Sequence, residues 1–326
     1  MPPLQTRRRL RTPGATDFFR LIHEEAAIME RISSGEVLYT AALRSLGVMR
    51  DFVDALTGAL ARPVPLETLC ALLNNATECY ELALQFVEAM QASMEPEYAA
   101  RIDVEDTCRG FLETAKAAAR RVVDVVYADA GMAGLLGQLF SSPDWSAGRT
   151  MRGLLATLGD YLGDAARYVD PSFFKRIADF ALDELVGRYV SGFAAAAPKV
   201  TEPLTIRMAN DELDLQRFFE KKVRSDRVMR ATSTLMELRE LLTAAGADAV
   251  AAAYARLLGF GVQLTPQALE RALSGRSDLK RAELKDALLR AREAYAQKQA
   301  AAAPPPPASA NPSGAGGRRR DAGGGK

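Results

Sequence analysis

Apolar side chains recur along this sequence at alternating spacings of three and four residues. Leu66, Leu69, Leu73, Ala76, Tyr80, Ala83, Val87, Met90 and Met94 form an unbroken seam of this kind. Leu46, Met49, Val53, Leu56 and Leu60 repeat it. Such spacing places every member on one face of an α-helix, the geometry of bundles and coiled coils. Phe174, Ile177, Ala181, Leu185, Tyr189 and Phe193 mark another long helix, entered through Asp170-Pro171 with proline in its first turn. Leu284, Leu288, Ala291 and Tyr295 line a helix near the end. No run alternates apolar and polar with β-branched enrichment, so strands are not expected.

Prolines say where these helices stop. Between residues 14 and 298 they stand only at 63, 65, 96, 143, 171, 198, 203 and 266. Each lies at the edge of a helical pattern, where a missing amide costs little. The chain therefore reads as all-α, an elongated rod of two stacked antiparallel helical bundles. Residues 14–197 form the first bundle, 198–209 a linker, and 210–298 the second, with Asn210-Asp211 as the N-cap that opens it. Residues 1–13 and the Ala/Pro/Gly-rich 299–326 read as disordered basic tails.

Composition sharpens that division. Fifty-seven of 326 residues are alanine, the best helix former. The net charge of +1 splits into +4 over 1–13, +3 over 299–326 and −6 between them. A mildly acidic body is not the footprint of a nucleic-acid binder, whose folded surface clusters positive charge. An odd three cysteines, Cys70, Cys79 and Cys108, give no disulfide framework. No stretch of 18 uncharged apolar residues suggests a membrane span.

Candidate chemistry is thin. His23, the single histidine, begins His-Glu-Glu-Ala-Ala, with Ala27 where a zincin helix needs its second ligand. Gly131, Gly134 and Gly137 match neither a Rossmann fingerprint nor a phosphate-binding loop, since no strand precedes them. No catalytic, cofactor-binding or metal-binding set emerges, and neither a cofactor nor a small-molecule substrate is expected. The remaining feature is basic. Arg217, Lys221 and Arg224 fall at i, i+4 and i+7, with Lys222 and Arg227 beside them. As one helical stripe they would suit an anionic membrane surface or an acidic partner helix. The alternative reading is a solvated face paired with Glu220 and Asp226.

Several segments resemble a known family. Leu69 to Ala76, carrying Cys70 and Asn74-Asn75, is similar to a cysteine–apolar–Asn-Asn signature of the exocyst complex component 3 family. Asp160-Tyr161, the Phe173-Phe174 pair, Tyr189 in LDELVGRYVSGF and Phe218-Phe219 resemble further stretches of it. The resemblance runs from about 35 to 298 and concerns the family's C-terminal part, without its long N-terminal coiled coil. It implies a non-catalytic helical rod, a subunit of the exocyst vesicle-tethering complex that docks secretory vesicles before fusion. The implied partners are other exocyst subunits and SNARE membrane-fusion proteins. The implied location is cytoplasmic, peripheral to the plasma membrane at exocytic sites. Asn74 and Asn75 read as buried polar groups completing a helix–helix contact. A generic all-α adaptor outside exocytosis is the competing expectation.

Overall fold

A computed structural model describes residues 10–302, and among them the chain forms fourteen helices and no strand. They are α1 (Gly14–Glu30), α2 (Glu36–Leu60), α3 (Leu66–Ser93), the single turn α4 (Pro96–Ala99), α5 (Glu105–Ala128), α6 (Ala130–Gln138), the single turn α7 (Pro143–Ser146), α8 (Arg149–Tyr168), α9 (Pro171–Ala196), α10 (Glu202–Phe219), α11 (Ser225–Thr243), α12 (Gly246–Gly259), α13 (Pro266–Ser274) and α14 (Arg281–Ala302). Pro96, Pro143, Pro171, Pro203 and Pro266 all stand in first turns, where no intrahelical donor is lost. Side chains of Asp129, Ser142, Asp170, Thr201 and Thr265 cap the helices that follow them by accepting orphan amide protons.

Helices α3 and α5 pack along each other and serve two apolar cores in turn. In the first core, Phe86 and Met90 from late α3 and Phe111 from early α5 meet Phe19 of α1 and Leu38, Leu46 and Met49 of α2. In the second, Leu69 and Leu73 from early α3 and Val122 and Tyr127 from late α5 meet α8 to α14. The long seam on α3 is buried along its length, with Leu66 and Tyr80 half-buried. Burial of about 1.5–3 kcal/mol per large apolar side chain makes this pair of helices the spine of the rod.

The two cores thus divide across α3 and α5, not at 198–209. Helix α10 begins at Glu202, so most of the expected linker is helical, and Thr201 rather than Asn210-Asp211 supplies the cap. The turn before it is packed: the Val200 amide donates to the Gly275 carbonyl at 2.9 Å. A Cβ on Gly275 would lie 2.0 Å from the Pro198 oxygen, so only glycine allows this approach. Helices α9 and α10 consequently feed the same core.

Described structure extends into both segments expected to be tails. Leu10 to Pro13 are placed against the second core, with the Leu10 amide donating to the Tyr168 carbonyl at 3.1 Å. At the other end α14 continues through Gln299 to Ala302, because proline first interrupts the sequence at 304. Lys298 anchors that last stretch, its Nζ donating to the Leu258 carbonyl at 2.9 Å and the Val262 carbonyl at 3.3 Å. Residues 1–9 and 303–326, where the remainder of both tails was expected, lie outside the described residues.

Candidate functional site

Helix α10 turns one face to the core through Leu204, Met208, Asp211, Leu215 and Phe219, which makes Asp211 the single charge on an apolar stripe. Its carboxylate is fully buried. Oδ2 accepts from Trp145 Nε1 at 2.8 Å and from the Tyr189 hydroxyl at 3.0 Å. Oδ1 accepts from Arg207 Nη2 at 2.8 Å and Nε at 3.2 Å. Burial pushes the Asp211 carboxyl up despite the opposing pull of Arg207 and of these donors. Gly148, at φ +74°, leaves room for Arg207: a Cβ there would lie 2.4 Å from Nη1. Phe140, also at positive φ, packs edge-on against Tyr189 and Phe193 and tilted against Trp145, with centroids 4.7 to 5.1 Å apart. This knot ties α7, α9 and α10 together. Both carboxylate oxygens of Asp211 and the Trp145 and Tyr189 donors are engaged with one another or with Arg207, so the knot holds the fold.

Asn74 and Asn75, buried on α3, form a clamp. Asn74 Nδ2 donates to the carbonyls of Leu10 and Tyr168, both at 2.7 Å, and its Oδ1 accepts from the Asp170 amide at 3.3 Å. Asn75 Oδ1 accepts from the Thr12 amide at 3.2 Å, and its Nδ2 donates to Thr12 Oγ1 at 2.5 Å. The pair therefore joins α3 to the end of α8, the kind of helix–helix contact expected, and also fastens the N-terminal strap and the α8–α9 turn to α3. Arg11 adds an ion pair to Glu78 at 2.8 Å. Cys70, four residues earlier, is buried, and burial pushes its thiol up to about 12, as it does that of Cys79.

The basic cluster does not form one helical stripe. Helix α10 ends at Phe219 and α11 starts at Ser225, so Arg217 lies in a last turn, Lys221 and Lys222 in the connection, and Arg224 and Arg227 at the next helix start. Three of the five cations have local work. Lys222 donates to the Phe218 carbonyl at 3.0 Å and sits 3.8 Å above its ring. Arg224 pairs with Asp226 at 2.9 Å, and Arg227 with Asp183 at 2.5 Å. Arg217 and Lys221 project from an exposed corner.

The other motif residues are distributed through the rod. Phe219 is buried and Phe218 stands edge-on to it at 4.9 Å, approaching Gly159 on α8. Asp160 is exposed and Tyr161 half-buried, its hydroxyl pushed up by burial and by Asp129. His23 is exposed, with its ring edge-on to Phe86 at 5.5 Å. Among the described residues no three His, Cys, Asp or Glu side chains converge to hold a metal ion. None of the described helices is long and apolar enough to cross a membrane.

Comparison with known proteins gives this geometry a family. The model for exocyst complex component Sec6 matches residues 2–281. Among solved structures, the C-terminal domain of the exocyst subunit Sec6p superposes with a TM-score of 0.77 at 15% identity, covering 90% of this chain and 82% of that one. M-Sec superposes at 0.58 with 10% identity, covering 90% of this chain and 56% of that one. The sequence match spans both cores and all but the last helix, and the structural likeness independently shows the same helical fold: this chain belongs to the Sec6 family of exocyst components.

Proposed function

We propose that this exocyst vesicle-tethering subunit acts as a helical scaffold with no catalysis of its own. Its work is to hold other exocyst subunits and SNARE proteins while a secretory vesicle docks at the cytoplasmic side of the plasma membrane. The family match over residues 2–281 carries this reading. The architecture suits it: two cores share the continuous helices α3 and α5, so a load applied at one core reaches the other through packed helix rather than through a linker. Buried Asp211, Asn74 and Asn75 fasten the fold internally. A generic adaptor outside exocytosis has no comparable support.

Recruitment of further exocyst subunits by the purified chain tests the scaffold role. Stable binding of at least one supports it, and binding of none by folded protein counts against it. An anionic-surface role for the basic cluster, in which Arg217 and Lys221 are exposed, is tested separately. Flotation with phosphatidylserine-containing vesicles is expected to fall in an Arg217→Glu, Lys221→Glu variant, because each basic group near an anionic surface is worth about 1 kcal/mol. Unchanged flotation removes the lipid role from that corner.

A further inference from the structure

Helices α1 and α2 leave a trough of about 870 Å³ between them, floored by buried Ile22, Ala42 and Met90. Leu21 on one wall is 55% exposed, and Val37 and Val48 on the other are 51% and 49% exposed. Ile28 and Ile32 extend the apolar exposure toward the α1–α2 turn. On α2, Val37, Ala41 and Val48 fall at i, i+4 and i+11, a stripe about 16 Å long at 1.5 Å per residue. Two helices with parallel apolar ridges and an open groove between them are the surface into which a third helix packs.

The charges around the trough restrict what can lie there. Residues 14–60 carry seven carboxylates against four arginines, a net of −3. Arg20 is taken up by Glu24 at 2.8 Å and Asp17 at 4.0 Å. Glu25 and Glu36 stand in the walls together with Arg44, and neither carboxylate makes an ion pair among the described residues. An anionic membrane is repelled by such a surface. The chain's own ends do not fit either. Among aliphatic and aromatic side chains, residues 1–9 offer only Leu4 besides the initial methionine, and 303–326 offer nothing larger than alanine or proline.

We propose that the α1–α2 trough docks one amphipathic α-helix of another protein, with apolar side chains at i, i+4, i+7 and i+11 and lysine or arginine on its flanks. This rests on the scaffold reading and deepens it by naming a surface and the chemistry of the helix it takes.

The probe is a labelled helical peptide of about 18 residues with leucine at those four positions and lysine flanks, compared with a twin carrying glutamate flanks. The whole chain should bind the lysine peptide about tenfold more tightly than the glutamate twin. Leu21→Asn with Val37→Asn, both neutral changes at exposed positions, should weaken the lysine peptide about tenfold while circular dichroism and the melting temperature stay unchanged. Glu25→Lys with Glu36→Lys should reverse the preference between the peptides. Equal binding of both peptides, or binding indifferent to the Leu21/Val37 pair, overturns the proposal. Co-precipitation of exocyst subunits with the wild-type chain, run in parallel, separates the two claims. Its success beside an indifferent trough defeats the trough alone, and its failure defeats the scaffold reading.

Discussion

Asp211 shows how a single residue can join distant parts of this fold. Its carboxylate is shared by Trp145, Tyr189 and Arg207, and Arg207 itself is largely buried. Replacing it with alanine leaves two ring donors without their acceptor and Arg207 with Asp214 at 3.4 Å, so Asp211→Ala should cost about 3–5 kcal/mol in chemical denaturation. The pH dependence has a definite sign. Burial raises the folded-state pKa above the unfolded value, so between the two the folded state holds more protons and stability falls as pH rises. The stability of wild type minus that of Asp211→Asn, taken as a signed difference, should therefore decrease as pH climbs from about 4 through the raised value. A difference that grows over that range contradicts the assignment. The α3 seam gives a second residue-scale test. Leu73 is fully buried, whereas Tyr80 is half-buried. Leu73→Asp should cost about 4 kcal/mol or more and Tyr80→Asp clearly less. Equal shifts in urea midpoints would contradict this ranking.

At the scale of elements, helix faces were legible because spacing alone encodes them. The seams at 46–60, 66–94 and 174–193 lie on α2, α3 and α9 with their apolar members buried or half-buried. Connections were less legible. Thr201-Glu202-Pro203 is a capping signal in its own right, and starting α10 there places Asp211 among Leu204, Met208 and Leu215. Pro198 and Pro203 mask that signal in the sequence, and Asn210-Asp211 consequently reads as a cap. The basic stripe failed for a related reason: helical spacing across 217–224 has meaning only if the helix continues, and it ends at Phe219. The Asn-Asn clamp could not be read because its partners, backbone groups and the Thr12 hydroxyl, lie 63 to 96 residues away. It makes a direct prediction. Asn75→Ala should leave the Thr12 amide without its acceptor and speed its hydrogen exchange, while Asn74→Ala should do so at Asp170. Unaltered protection at both amides would show that the strap is held by other means.

At the scale of the whole molecule, the two cores share α3 and α5, so neither can melt without unravelling a helix of the other. Phe86→Ala in the first core and Leu238→Ala in the second should each cost about 2–5 kcal/mol and shift one common transition. Two separated transitions in calorimetry would mean that the cores are independent. The same sharing gives the rod its use as a scaffold, since partners bound along its length are held at fixed spacing. That claim is tested most directly by co-precipitating the tagged full chain with the exocyst subunits of its own cells. Other subunits should come down with wild type in near-stoichiometric amounts, and should be lost with a Leu73→Asp chain that cannot form its core. Recovery of no exocyst subunit by a bait with native helicity and a cooperative melt would contradict its role as an exocyst scaffold.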